Sequence, residues 1–468
     1  MMSNDPSDVR GAVMRRWYTF LLAAAVFGGA GAARAADMAT KAAPQPQQSI
    51  WQRDTLTGDW GGLRTDLHNK GIDLTITYAN EVFGVLSGGL HRDASYEGLL
   101  TFTADADLQK LVGWSGGHAH VTVFQIHGTS RNVVANVGSI SDPSNIDALS
   151  TTRFYQMWFE QDFFSDRVSL RLGQLAADGD FLASPTAGNL LNGTFGWADL
   201  VAGDMINGGP AYPLATPGAQ LTVKATDNIK LLGAVFAGNP AGANCNDNPQ
   251  RCDRYGLTFS TSGGALFMGE AQYAINQGKN ASGLPGVYKI GGWRATADFA
   301  DQRYGVDAAG AEVLLSDPAA TGPRNHGGDW GIYGVADQTV WRSGDRSVSL
   351  FARGGYSPPD RNLISWYADG GAGFKGLVPG RTNDVLTFGL AYANFSADAA
   401  AADRDAGNAV RDHEIVFELN YAAQIAPWWT VQPDVQYIVH PNGGQNPDDP
   451  TQGLDHAFVA GVRSTITF

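Results

Sequence analysis

Short stretches in which every second residue is apolar recur through this chain, and they limit how it can fold more than any other feature. Ile72, Leu74, Ile76 and Tyr78 alternate with Asp73, Thr75, Thr77 and Ala79. Leu100, Phe102, Ala104, Ala106 and Leu108 alternate with Thr101, Thr103, Asp105 and Asp107. Ile415, Phe417, Leu419 and Tyr421 alternate with Glu414, Val416, Glu418 and Asn420. A period of two sends neighbouring side chains to opposite faces, so each stretch is a strand with one greasy and one wet face. A length of ~10 residues is that of a tilted transmembrane strand, and acids at mid-strand suit a watery interior. Soluble sandwiches also alternate. Past residue 35, however, no apolar run approaches the ~20 residues of a membrane helix, so any crossing is made by strands. With 59 glycines and only 17% charged residues, the composition fits a turn-rich, all-β membrane protein.

The first residues read differently. Arg10, Arg15 and Arg16 precede a charge-free run from Trp17 to Ala33, and Ala33-Arg34-Ala35 gives a small-x-small cleavage site. This pattern predicts a signal peptide over 1–35. Residues 36–71 form a leader rich in Ala, Pro and Gln, then a short periplasmic helix that Asp59 caps and Gly71 ends. The barrel is expected over 72–468. A formal net charge of −14 argues against nucleic acid as a partner. Cys245 and Cys252 lie close together in a polar, turn-rich segment of an exported chain, which favours a disulfide.

Motifs that suggest chemistry mostly fail on context. Gly113-Trp114-Ser115-Gly116-Gly117 matches a nucleophile elbow but joins two strand-like segments, so a tight turn is expected. Gly371 to Gly376 matches a dinucleotide fingerprint with no helix after it. His118 and His120 share a strand face, but two ligands do not make a metal site. No cofactor or metal is expected. Residues 152–164 and 167–174 read as a hairpin about Ser165-Asp166. That register sets Glu160 opposite Arg171, Phe159 opposite Leu172 and Phe163 opposite Val168. Glu160, Arg171, Trp158 and Gln156 then face inward, because Arg at mid-membrane on the lipid side costs roughly 2–4 kcal/mol. Asp105, Asp107 and Glu418 complete the expected lumen set.

Several segments together resemble the carbohydrate-selective porins of the OprB family. They are LTGDWGGLRTDLHNKGI at 56–72, LVGWSGG at 111–117, FYQMWFEQDFFSDRVSLRLGQ at 154–174, ADQTVW at 336–341, WWTVQPDVQYIVHPNGG at 428–444 and the terminal GVRSTITF. The alternation yields about 17 segments, and single-chain bacterial barrels have even strand numbers, which leaves 16 or 18. The resemblance implies an up-and-down antiparallel barrel of about sixteen strands in the outer membrane, passing glucose-like sugars and ions passively. It also implies that the third long loop, over residues 176–219 with eight glycines and four prolines, folds into the lumen. It leaves monomer and homo-oligomer open. Expected partners are small sugars, outer-membrane lipid and lipopolysaccharide, and the barrel-assembly machinery through Phe468, the aromatic end of an alternating last strand. The competing readings are a barrel enzyme of lipase type and a secreted β-protein that binds polysaccharide.

Overall fold

The computed structural model describes residues 49–277 and 281–468; the expected signal peptide lies outside them. Seventeen strands form one continuous antiparallel sheet. In chain order these are β1 (Ile72–Ser87), β2 (Ala94–Asp107), β3 (Gly117–Gly128), β4 (Thr151–Phe163), β5 (Val168–Leu175) and β6 (Thr216–Lys224). Then come β7 (Ile229–Ala237), β8 (Ala265–Ile275), β9 (Gly286–Val306), β10 (Glu312–Leu314), β11 (Gly322–Ser343) and β12 (Arg346–Tyr356). The last five are β13 (Ile364–Lys375), β14 (Val385–Phe395), β15 (His413–Ala426), β16 (Trp429–Val439) and β17 (Ala457–Thr467). β10 has three residues and pairs only with the tip of β9. The remaining strands make a closed barrel of 16.

Closure comes from β17 pairing with β1, from Thr77 opposite Thr467 to Ser87 opposite Phe458. A closed barrel leaves no unpaired edge, which hydrocarbon would not tolerate. A clamp sits beside the seam. Asp59 is the N-cap of a 3-10 turn, Trp60–Gly62, which leads straight into helix Leu63–Asn69 with Gly62 at that helix's own N-cap. Asp59 supplies an acceptor, taking the Thr65 N–H at 2.8 Å. From this helix Arg64 donates to the Phe468 carbonyl at 2.7 Å.

Alternation decides the two faces. Phe102, Leu172, Phe267, Ile290, Ile332, Leu350, Trp366, Phe388 and Leu419 stand exposed on the outside, where lipid covers them. Their neighbours point inward; some are polar or small, as Thr101, Gly389 and Glu418, and others are large and buried, as Leu266, Met268, Phe351 and Tyr367. Short turns close one end and long connections the other, and in barrels of this kind the long ones face outward from the cell. The 113–117 segment closes the short-turn end, after the one-turn helix Leu108–Val112 rather than by a simple turn. Cys245 and Cys252 are disulfide-bonded in the β7–β8 connection, with Cα atoms 5.7 Å apart.

The apolar core lies inside the barrel, which is unusual for a watery channel. Residues 176–215, between β5 and β6, fold into the lumen. Phe181, Leu182, Leu190, Phe195, Leu200 and Val201 from this loop are buried against inward residues of the wall, including Phe236, Phe351 and Tyr367. Phe195 meets Phe351 edge-on at 6.2 Å. Two wall glycines leave room for the loop. A Cβ on Gly389 would come within 2.4 Å of Leu190, and one on Gly355 within 2.5 Å of Leu200.

Candidate functional site

The inward loop offers backbone groups that must find partners away from water. Strand side chains supply them around much of the wall. Glu270 of β8 accepts the Leu182 N–H at 2.8 Å, and Asp337 of β11 accepts the Thr186 N–H at 2.8 Å. Arg353 of β12, paired with Asp369 of β13, donates to the carbonyls of Leu182 at 3.1 Å and Thr194 at 2.9 Å. Glu418 of β15 takes the N–H groups of Leu191 and Asn192 at 2.6 and 2.9 Å. Gln436 of β16 accepts from the Asn192 amide at 3.0 Å. Each charged partner makes a stronger bond than a neutral one.

The β3–β4 connection, residues 129–150, packs beside this loop and is held by the same strand, β15. Glu414 accepts the N–H groups of Ile140 and Ser141 at 3.0 and 2.9 Å. The two loops bind each other as well. Asn145 N–H donates to the Leu191 carbonyl at 2.7 Å, Gly193 N–H to the Asp142 carbonyl at 2.8 Å, and the Ser141 hydroxyl to Asp199 at 2.6 Å.

Between the loops and β4 lies a cavity of about 460 Å³, lined by Asp142, Asp147, Tyr155, Asp178, Trp197 and Tyr212 among others. Tyr155 donates to Asp178 at 3.1 Å, and Tyr212 donates through its hydroxyl to the Ile146 carbonyl at 2.7 Å. Phe124 packs against both rings at 4.6 and 5.4 Å. Burial, with help from the carboxylates of Asp147 and Glu97, holds Asp142 well above the usual carboxylate range. Burial lifts Asp147 to about 6 and Asp199 to about 6, and raises Asp178 as well. Fixed acceptors beside aromatic rings can bind hydroxyl groups and cover a ring face.

The hairpin residues come together. Glu160 stands opposite Arg171, Phe159 opposite Leu172 and Phe163 opposite Val168. Arg171 Nε donates to Glu160 at 2.9 Å, and its Nη1 reaches Asp180 of the inward loop at 2.9 Å. Trp158 does not offer a free stacking surface. The Arg171 guanidinium lies 4.3 Å from its ring centre, and His120 stacks on it at 4.7 Å. Gln156 accepts weakly from the Ala176 N–H at 3.4 Å.

Three other expected lumen residues have local partners. Asp105 pairs with His120 at 2.6 Å. Asp107 caps helix Leu108–Val112 through the N–H groups of Gln109 and Lys110, so it serves a turn at the barrel's end rather than the path. Glu418 faces inward but is 1% exposed, because the loop it holds lies over it, and this removes it from the open path. The expected set lacks the cavity residues for a structural reason. Opposite Thr122 and Val123, β4 places Gln156 and then Phe154, so Tyr155 is an extra, bulged residue. The bulge turns Tyr155 inward against the strict alternation. Asp142, Asp147, Asp178, Trp197 and Tyr212 sit on loops, where no periodicity reports a face.

Comparison with known proteins agrees with this geometry. Porin B of Pseudomonas aeruginosa is 28% identical, covering 88% of this chain and 91% of its own. A putative porin, QuiX, of Acinetobacter baylyi is 25% identical over 90% of this chain and 94% of its own. The structure of Pseudomonas putida OprB determined at high pH superposes with a TM-score of 0.78 at 25% identity, covering 90% of this chain and 100% of that one. Residues 91–468 match the model of the carbohydrate-selective porin, OprB family, and the chain belongs to that family of outer-membrane channels.

Proposed function

We propose that the chain is a passive channel for small neutral sugars of glucose type, and that the cavity between the two inward loops is where a sugar pauses on its way through. The cavity itself carries this reading. Its volume of about 460 Å³ lies within the range of small-molecule sites, roughly 300–1,000 Å³. Asp142, Asp147, Asp178 and Asp199 line it together with Ser144, Asn145 and Thr194, and aromatic rings lie beside them. A neutral sugar exchanges water for these acceptors at little cost, whereas an anionic substrate meets like charge. The pair Glu160–Arg171 with Asp180 braces the loop below the cavity. Catalysis has no part in the reading. Export by a signal peptide over 1–35, insertion through Phe468 by the assembly machinery, and contact with lipopolysaccharide at the long-loop end belong to the same reading.

Liposome swelling tests it. Reconstituted protein should admit glucose at a rate that falls with sugar size, and should admit a sugar acid of equal size more slowly. Equal rates for the neutral sugar and the acid would reject the selectivity assigned to the cavity.

A further inference from the structure

At the long-loop end, β15 begins at His413 and β16 ends at Val439. Antiparallel pairing brings Ile415 opposite Val439, so the residues just beyond each end meet. Here the ligand atoms of Asp412, His413 and His440 all lie within 4.8 Å of one another. The Nδ1 atoms of His440 and His413 are 3.0 and 3.3 Å from the same Asp412 oxygen. We propose that these three side chains form a binding site for one divalent transition-metal ion such as zinc, unrelated to the sugar path.

The chemistry favours this class of ion. Imidazole with one carboxylate suits zinc, copper, nickel and cobalt, whereas magnesium and calcium need several oxygen ligands. Bonds of roughly 2.0–2.1 Å in tetrahedral geometry place ligand atoms about 3.3 Å apart, so small ring rotations bring all three into range. Three protein ligands leave a fourth position for water.

The surroundings hold the ligands ready. Arg411, next in sequence, is committed to Asp403 at 2.9 Å and does not neutralise Asp412. His440 sits at φ 51°, and its backbone N–H donates to Nδ1 of His456 at 3.1 Å. That bond fixes the His456 tautomer and occupies its Nδ1. The His456 ring stacks on His440 at 5.0 Å, and Tyr392 stacks on His413 at 5.5 Å. His456 is therefore a positioning residue rather than a ligand. A bound ion would tie the 396–412 connection to the 440–456 connection.

Cobalt(II) titration of the full chain in detergent, read by visible absorption, tests the site. One equivalent should give the intense bands of four-coordinate cobalt, displaced by zinc and not by magnesium. His413→Asn and His440→Asn should each abolish the bands while the barrel keeps its heat-modifiable migration on gels. His456→Ala should weaken binding about tenfold, as loss of a group that orients a ligand does. The proposal falls if no saturable spectrum forms, or if the bands survive in the His413→Asn/His440→Asn double variant. It also falls if they disappear with His118→Asn/His120→Asn instead.

Discussion

Glu418 anchors the inward loop to the barrel wall. Its oxygens receive two loop N–H groups, and Asn420 donates to it at 2.8 Å. Glu418→Ala leaves both N–H groups unpaired, at about 1–3 kcal/mol each. The barrel should still form, since its strands pair independently of the loop. Loop residues 190–192 should become susceptible to limited proteolysis, and conductance should rise and fluctuate. Two tryptophans make a second contrast. Trp158 is flanked by His120 and Arg171, whereas Trp197 lines the cavity. Trp197→Ala should weaken glucose block of ion current about tenfold, equivalent to about 1.4 kcal/mol, and Trp158→Ala should leave it nearly unchanged. The reverse ranking would move the sugar position down to the hairpin.

The inward loop, rather than any strand, makes the constriction, and its seating depends on glycine sockets as much as on charge. Gly389→Leu should push Leu190 and Phe195 off the wall, because a Cβ at 389 already meets them within 2.4 and 2.7 Å. Conductance should rise toward that of a variant lacking part of 185–210. Equal conductance in all three folded proteins would show that the loop does not set the bore. Much at this scale was legible in the chain. Pairing across the tight turn gives the β4–β5 register, and Phe164, Ser165 and Asp166 all take positive φ in that connection. Alternation identified the lipid face at Phe102 and Leu419. Sites set by departures from the pattern were not legible. The Tyr155 bulge depends on how β3 and β4 pair, and the loop carboxylates acquire their surroundings only from elements far away in sequence. Alternation gives Glu418 a face but not the loop that covers it.

At the scale of the whole channel, charge and pH are linked. Asp147 and Asp199 hold protons up to about 6 in the folded protein, against an ordinary value of about 3.9. For an acid with a raised value, stability is greatest below the unfolded value and declines as pH rises through the folded one. Lowering pH from 7 to 5 should therefore protonate both groups, tighten the loops and reduce the preference for cations. Reversal-potential measurements in a salt gradient should show that fall, and Asp147→Asn/Asp199→Asn should flatten it. A selectivity that does not change with pH would assign the charge at the constriction to other groups. Sixteen strands, an inward loop and an acidic, aromatic cavity together fit the proposed passage of neutral sugars. Planar-bilayer recording with glucose is the most direct test. Ion current through the reconstituted protein should be reduced reversibly and saturably by glucose, and Trp197→Ala should lessen the effect. A current that glucose leaves unchanged, in a barrel whose liposomes also exclude glucose, would contradict the sugar channel.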